Sequence, residues 1–212
     1  MNVIDLTLQR SMPSVMVPKR EAIEPMATNG ERLLIAANGV FIEIRRSWLR
    51  LVRRVATYSV ATAIPYGDVD EQTQLVCGAI PASLVGGFAT MARAAFPKET
   101  GAWIVWSPTS GNFRLVPVEI RTHDERSLDY VPPRLELDEQ LVVDCHSHGR
   151  EPAFFSPTDD GDDEHEVKLA LVVGNCSAPT PSVVMRLCAK GIFEHLERVP
   201  CAWYEAIAKE AA

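Results

Sequence analysis

Residues 140–159 read QLVVDCHSHGREPAFFSPTD, an apolar run that leads into two histidines, a turn and the start of a helix. The apolar run predicts a buried strand over Gln140–Ser147. Because side chains alternate along a strand, His146 and His148 are expected on one face and Ser147 on the other. Two imidazoles at this spacing can bind the same metal ion.

The residues that follow predict a third ligand on a fixed support. Gly149 and Pro152 let the chain turn back. The segment Ser156-Pro157-Thr158-Asp159 then places serine at the N-cap of a helix, proline at its first position and an acid at its third. We therefore expect Asp159 to lie beside the histidines. Two histidines and one carboxylate leave a fourth tetrahedral position for water, which is typical of catalytic zinc.

A catalytic zinc site of this kind also needs a base. Zinc lowers the pKa of bound water to about 7, and a carboxylate beside that water can take its proton. Glu71 lies in a polar linker, Glu119 lies late in a predicted strand, and Glu99 stands between a predicted helix and a predicted strand. Their positions alone do not assign the base.

The pattern H-x-H, seven residues, S-x-x-D over residues 146–159 resembles the motif of the JAMM metalloproteases, also called JAB or MPN-plus. The resemblance covers roughly residues 78–195 and is specific at the motif. Many relatives carry proline directly after the second histidine, where this chain has Gly149, so the loop shape is expected to differ.

The resemblance implies a zinc-dependent hydrolase that cleaves peptide or isopeptide bonds. By this resemblance Glu99 is the general base, and Ser156 helps to stabilise the oxyanion of the tetrahedral intermediate. One zinc ion per chain would be bound by His146, His148 and Asp159. The implied fold is the JAB1/MPN-like (cytidine-deaminase-like) three-layer α/β fold, a curved mixed sheet flanked by helices.

More narrowly, the layout of the chain resembles the JAB-domain component of the PRTRC system, a bacterial cassette that also encodes ThiF-like (E1-like) and ubiquitin-like proteins. This implies a ubiquitin-like protein as substrate and an E1-like protein as a further partner. The polar segment 121–138 would clamp the substrate tail by adding a strand to a sheet edge. Two alternatives stay open: a non-catalytic JAB-fold scaffold for partner proteins, and a zinc hydrolase acting on a small-molecule amide.

Around the motif, the chain predicts an α/β domain over residues 76–212. A helix is expected over 81–96, ended by Pro97, and the segment 121–138 is interpreted as a long loop or insertion. A short hairpin and a helix near Ala202–Lys209 are expected at the end of the chain. Further strands are predicted at Gly101–Trp106, Phe113–Ile120, Val167–Val173 and Ser182–Leu187.

Residues 1–75 are interpreted as an N-terminal extension, beginning with an extended or partly covered arm over 1–30. Asn38-Gly39 between two apolar runs predicts a hairpin. Ser47 is expected to cap a helix through Ala56, because apolar residues follow helical spacing there. The opposite face of that helix would carry solvated arginines.

The composition of the 212 residues excludes several classes of function. A net charge of -7 argues against general nucleic-acid binding. Residues 1–20 lack an apolar run of signal-peptide length, and no apolar run in the sequence is long enough to span a membrane. Five cysteines without a C-x-x-C pair favour reduced thiols. We expect a soluble, cytoplasmic protein with no membrane contact.

Several residues near the motif are interpreted as not binding metal. The acids after Asp159 are expected to be solvated and to complement the helix dipole; they are Asp160, Asp162, Asp163 and Glu164. His165 is expected to be a non-ligand, and Cys145 a core thiol. His123 and His195 stand in no recognisable spacing and are left unassigned.

Overall fold

The computed structural model describes residues 2–60 and 63–209 and divides into two compact units, residues 1–78 and 79–212. Among the described residues, no helix is long and apolar enough to cross a membrane. Each unit has its own sheet.

The first unit is a five-stranded sheet preceded by a short helix. The strands are ordered β1-β2-β3-β4-β5, with β1 and β2 parallel and the other pairs antiparallel. The hairpin predicted at Asn38-Gly39 is confirmed as the β2–β3 connection. The arm predicted over residues 1–30 instead begins with a helix. The elements are α1 (Val3–Ser11), β1 (Ser14–Met16), β2 (Gly30–Ala36), β3 (Gly39–Arg45), β4 (Leu49–Ala56) and β5 (Gln72–Leu75).

The helix predicted from Ser47 to Ala56 is wrong, because this segment forms strand β4. Leu49 and Leu51 are buried while Arg50 between them is exposed, which is the period of a strand. The apolar residues fit both helical and strand spacing, and pairing with β3 on one side and β5 on the other decides between them. The arginines therefore lie on a strand and not on a helix.

The second unit contains a six-stranded mixed sheet with order β13-β12-β11-β10-β6-β7. Only β10 and β11 are parallel neighbours in it. The predicted α/β fold, a mixed sheet flanked by helices, is confirmed. The elements are α2 (Ala82–Ala95), β6 (Gly101–Trp106), β7 (Phe113–Pro117), β8 (Glu119–His123), β9 (Leu128–Val131), β10 (Gln140–Ser147), α3 (Pro157–Asp163), β11 (Val167–Gly174), β12 (Ser182–Ala189), β13 (Ile192–His195) and α4 (Cys201–Lys209).

The segment 121–138, predicted as a loop, contains most of a separate hairpin. β8 and β9 form a two-stranded antiparallel sheet, and the strand predicted over Phe113–Ile120 divides between β7 and β8 at Val118. Ile120 and Tyr130 face each other across this hairpin, and such β-branched and aromatic residues favour strands. The prolines that suggested a loop, Pro132-Pro133, lie just beyond β9.

The centre of the six-stranded sheet positions the histidine motif. Strand β10 pairs with β6 on one side and with β11 on the other, and all eight residues of β11 are buried. A strand held on both edges in this way keeps its carboxyl end fixed. The motif residues at that end thus stand on a rigid support.

Candidate metal centre

His146, His148 and Asp159 converge on one point. One ligand atom from each lies within 4.8 Å of the others. The two imidazole Nε2 atoms are 3.1 Å apart, and Nε2 of His146 is 3.5 Å from Oδ1 of Asp159. Ligands about 2.0–2.1 Å from a tetrahedral zinc ion are separated by about 3.3–3.4 Å, so these two separations are close to those of a zinc site.

The alternation of side chains along β10 brings the two histidines together. Ser147 between them points the other way and is fully buried, and its hydroxyl accepts a hydrogen bond from the Thr100 N–H at 3.0 Å. The N–H of His148 donates to the Val173 carbonyl at 2.9 Å, which extends the β10–β11 pairing past the end of the strand. Both histidine backbones are therefore fixed by the sheet.

The surroundings of both histidine rings favour metal binding. Nδ1 of His148 lies 3.2 Å from the Pro152 carbonyl oxygen and can only donate to it, so Nε2 is the ring nitrogen that faces His146. Burial lowers the pKa of His146, although Asp159 acts in the opposite direction. Neutral imidazole is the form that binds metal.

Asp159 is fixed by the start of helix α3. Ser156 and Asp159 form a capping box, in which the Ser156 N–H donates to Oδ2 of Asp159 at 2.6 Å. The Ser156 hydroxyl donates to the same Oδ2 at 2.7 Å and accepts from the Asp159 N–H at 3.2 Å. Oδ1 of Asp159 is thereby left to face His146. In this arrangement the Ser156 proton is directed at Asp159.

Glu99 lies in the same cavity as the three ligands and is 8% exposed. Burial raises the pKa of its carboxyl group to about 7, and the negative charges of Asp159 and Asp124 act in the same direction. A carboxylate with a pKa near neutrality can both accept and return a proton at physiological pH.

The backbone of Glu99 is held by the β8–β9 hairpin. Its N–H donates to the Asp124 carbonyl at 2.8 Å, and its carbonyl oxygen lies 2.7 Å from Nδ1 of His123, which donates to it. Sequence reasoning left His123 unassigned because its partner is 24 residues away and no local spacing signals the contact.

Gly149 allows the loop after the histidines to pass close to the Glu99 segment. Its φ angle is +48°, and a Cβ atom there would lie 2.1 Å from the Pro97 carbonyl oxygen. Proline, with φ fixed near −65°, cannot adopt this conformation. The backbone at position 149 is therefore one that glycine adopts and proline does not.

The cavity over the site has a volume of about 510 Å³. One wall is the β8–β9 hairpin, through residues 125–128 and Tyr130, and Phe154 packs its ring edge against His148 with centroids 4.5 Å apart. The cleft therefore lies directly beside the three candidate ligands.

The expectation that the acids after Asp159 are solvated is wrong for Asp163, which is 5% exposed and forms ion pairs with Lys168 and Arg186. Asp160 also pairs with Arg186, but its side chain stays exposed to solvent. The sequence did not predict these contacts of Lys168 and Arg186, because both residues lie in segments with the pattern of ordinary buried strands, β11 and β12.

Comparison with known proteins identifies two segments. Residues 81–188, just over half of the chain, match the family described as prokaryotic homologs of the JAB domain. Residues 2–76 match a domain family described as being of unknown function, DUF2016. The two matches fall on the two units of the structure.

Two further comparisons complete these findings. No curated protein matches the chain. The solution structure of protein DSY2949 from Desulfitobacterium hafniense is similar to 53% of this chain and 85% of its own, with 18% sequence identity and a TM-score of 0.37.

Proposed function

Because the chain belongs to the prokaryotic homologs of the JAB domain, a family that includes hydrolases, we propose that it is a zinc-dependent hydrolase of peptide or isopeptide bonds. One observation carries the proposal. The three donor atoms of His146, His148 and Asp159 lie within 4.8 Å of one another, in a cavity that also holds the buried carboxyl group of Glu99. A protein that only binds partners has no need for a protonatable carboxyl group beside three converging ligands.

Zinc bound to His146, His148 and Asp159 would lower the pKa of water and polarise the scissile carbonyl. Glu99 takes the proton from the attacking water and returns it to the leaving amine, because its pKa lies near neutrality. The hairpin contacts from Asp124 and His123 hold the Glu99 backbone in place for both transfers.

Ser156 has two roles in this proposal. Its hydroxyl fixes Asp159 in the resting site through the 2.7 Å hydrogen bond to Oδ2. To stabilise an oxyanion it rotates its proton away from Asp159, whose position is still held by the Ser156 N–H. Such a donor is worth roughly 10²–10³ in kcat in other enzymes.

The proposed substrate is the C-terminal tail of a ubiquitin-like protein, in a PRTRC-type cassette that also supplies an E1-like partner. The β8–β9 hairpin supports this choice, since it is paired to no other strand among the described residues and lines the cavity. An extended tail can add a strand to such a hairpin and place its end at the metal.

The first test is metal content. Purified chain should contain one zinc ion per molecule by elemental analysis, and His146→Ala should lose it. Glu99→Gln should retain the zinc because Glu99 is not a ligand. Wild-type chain that takes up no zinc refutes the proposal.

The second test is cleavage of a ubiquitin-like protein that carries a C-terminal extension, followed by mass spectrometry of the products. Zinc-loaded wild type and the control Glu197→Gln, which is exposed and lies outside the hairpin, should cut at the end of the tail, and Glu99→Gln should not. Binding of that protein without cleavage identifies a scaffold, and cleavage only of small amides identifies the other alternative.

A further inference from the structure

Apart from Pro157 at its first position, helix α3, which carries the proposed ligand Asp159, has no apolar side chain with which to pack. Its seven residues read PTDDGDD, with four aspartates. A helix this short is unstable by itself, and most helices are held in place by an apolar face. The repulsion among its four carboxylates destabilises the helix further. Its position must therefore depend on polar anchors.

Arg186, on strand β12, provides one such anchor. Its Nη1 pairs with Asp160 and its Nη2 lies 2.6 Å from Oδ2 of Asp163. Because Asp160 and Asp163 are three residues apart, they lie on one face of α3. Arg186 is only 1% exposed, and its guanidinium lies 4.0 Å from the ring centroid of Phe155 and 4.3 Å from that of Phe193.

Lys168 links the same helix to the strand that carries the histidines. Its Nζ lies 2.7 Å from Oδ1 of Asp163 and 2.7 Å from Oδ2 of Asp144. Asp144 precedes His146 by two residues on β10, on the same face of the sheet. A continuous chain of ion pairs thus leads from β12, through the end of α3, to β10, the strand with the two histidines. Its members are Arg186, Asp163, Lys168 and Asp144.

We propose that Arg186 is a positioning residue for the metal centre, which it serves by fixing helix α3 and hence Asp159. The proposal rests on the proposed function only in assuming that the three ligands bind zinc. Lys168 and Asp144 complete the same network. The ion pairs of Arg186 are with Asp160 and Asp163 and not with the proposed ligands, so its effect on the metal passes through the helix.

The direction in which zinc affinity changes when Arg186 is replaced distinguishes this positioning role from a purely electrostatic one. Arg186 is a positive charge near a cation site, so Coulomb's law predicts that its removal strengthens zinc binding. Positioning of Asp159 predicts the opposite, because a loosely held carboxylate is a poorer ligand. Residues that orient metal ligands are worth about 10–100-fold in metal affinity in other proteins.

The experiment measures zinc affinity by competition with a chromophoric chelator for full-length wild type, Arg186→Gln and Arg186→Lys. Circular dichroism of the zinc-free proteins checks the fold. We expect Arg186→Gln to bind zinc about 10–100-fold more weakly. Arg186→Lys should also bind more weakly, since an ammonium cannot hold both aspartates with the geometry of a guanidinium. Unchanged or tighter binding by a folded Arg186→Gln overturns the proposal.

Removal of one member of a buried ion pair can prevent folding, so a milder pair of variants keeps the test decisive. Asp160→Asn breaks one contact of Arg186, and Asp162→Asn removes the same charge from an exposed position on the same helix. Asp160→Asn should weaken zinc binding at least about threefold more than Asp162→Asn. Equal effects overturn the proposal. Wild type without zinc affinity would instead refute the proposed function.

Discussion

Replacement of Glu99 by glutamine should stabilise the zinc-free protein, and the gain should grow with pH. The pKa of this carboxyl group rises from an ordinary 4.5 to about 7 on folding, chiefly because burial disfavours the charged form. Below pH 4.5 the group is protonated in both the folded and the unfolded chain. Above pH 7 the folded chain must bury the charge. Glutamine resembles the protonated acid and avoids that cost.

The size of the gain follows from the separation of the two pKa values. Each pKa unit corresponds to 1.36 kcal/mol, so a rise from 4.5 to about 7 corresponds to about 3 kcal/mol above pH 7. Glu99 retains 8% exposure, which reduces the cost of the charge, and we expect about 2–3 kcal/mol. The difference in the free energy of unfolding should fall to about zero near pH 4.5.

Urea unfolding of chelator-treated wild type and Glu99→Gln at pH 5, 6, 7 and 8 measures this difference. Glu119→Gln, in an exposed position, is the matched control and should change the free energy of unfolding by less than about 0.5 kcal/mol. A gain in Glu99→Gln that does not vary with pH, or a loss of stability above pH 7, would refute the burial argument. On the proposed function, the same variant should also be inactive when loaded with zinc.

Three further substitutions test the supports of the site. Gly149→Ala should lower the free energy of unfolding, measured in urea, by more than about 1 kcal/mol. The new Cβ would lie 2.1 Å from the Pro97 carbonyl oxygen, and the φ angle of +48° disfavours alanine. An unchanged free energy of unfolding would contradict the tight turn. Ser156→Ala should cost about 1 kcal/mol and weaken zinc binding in chelator competition, since Asp159 loses a hydrogen bond. Gly161→Ala should raise stability by about 0.5–1 kcal/mol without loss of zinc affinity, because nothing lies within 4 Å of the new methyl group.

Local rules explain why much of the site could be predicted from the sequence. The pairing of His146 with His148 depends on strand alternation, and the placement of Asp159 depends on a capping box; both act over a few residues. The contacts of His123 and Arg186 join residues 23–26 positions apart. These residues come together only in the assembled sheet, so no spacing in the sequence predicts their contacts.

The wrong prediction at β4 has a similar cause. Leu49, Leu51 and Val52 satisfy helical as well as strand spacing, and the sequence around them contains no residue that excludes either. Hydrogen bonding with two neighbouring strands selects the extended form. The hairpin at Asn38-Gly39 was predictable because its turn chemistry belongs to one structure alone.

The parallel pairing of β10 with β11 has a consequence for how metal and folding are linked. Two parallel neighbours require a crossover, and here the crossover is the segment 148–166, which contains His148 and helix α3. Two of the three proposed metal ligands, His148 and Asp159, thus belong to a connection that forms only when β10 and β11 pair. Zinc bound by these residues should therefore protect the amides of β10 and β11 from hydrogen exchange along with the loop itself, by an amount that grows with the ratio of free zinc to its dissociation constant. Removal of the metal should therefore lower the free energy of unfolding of the whole domain, and not only the stability of one surface loop.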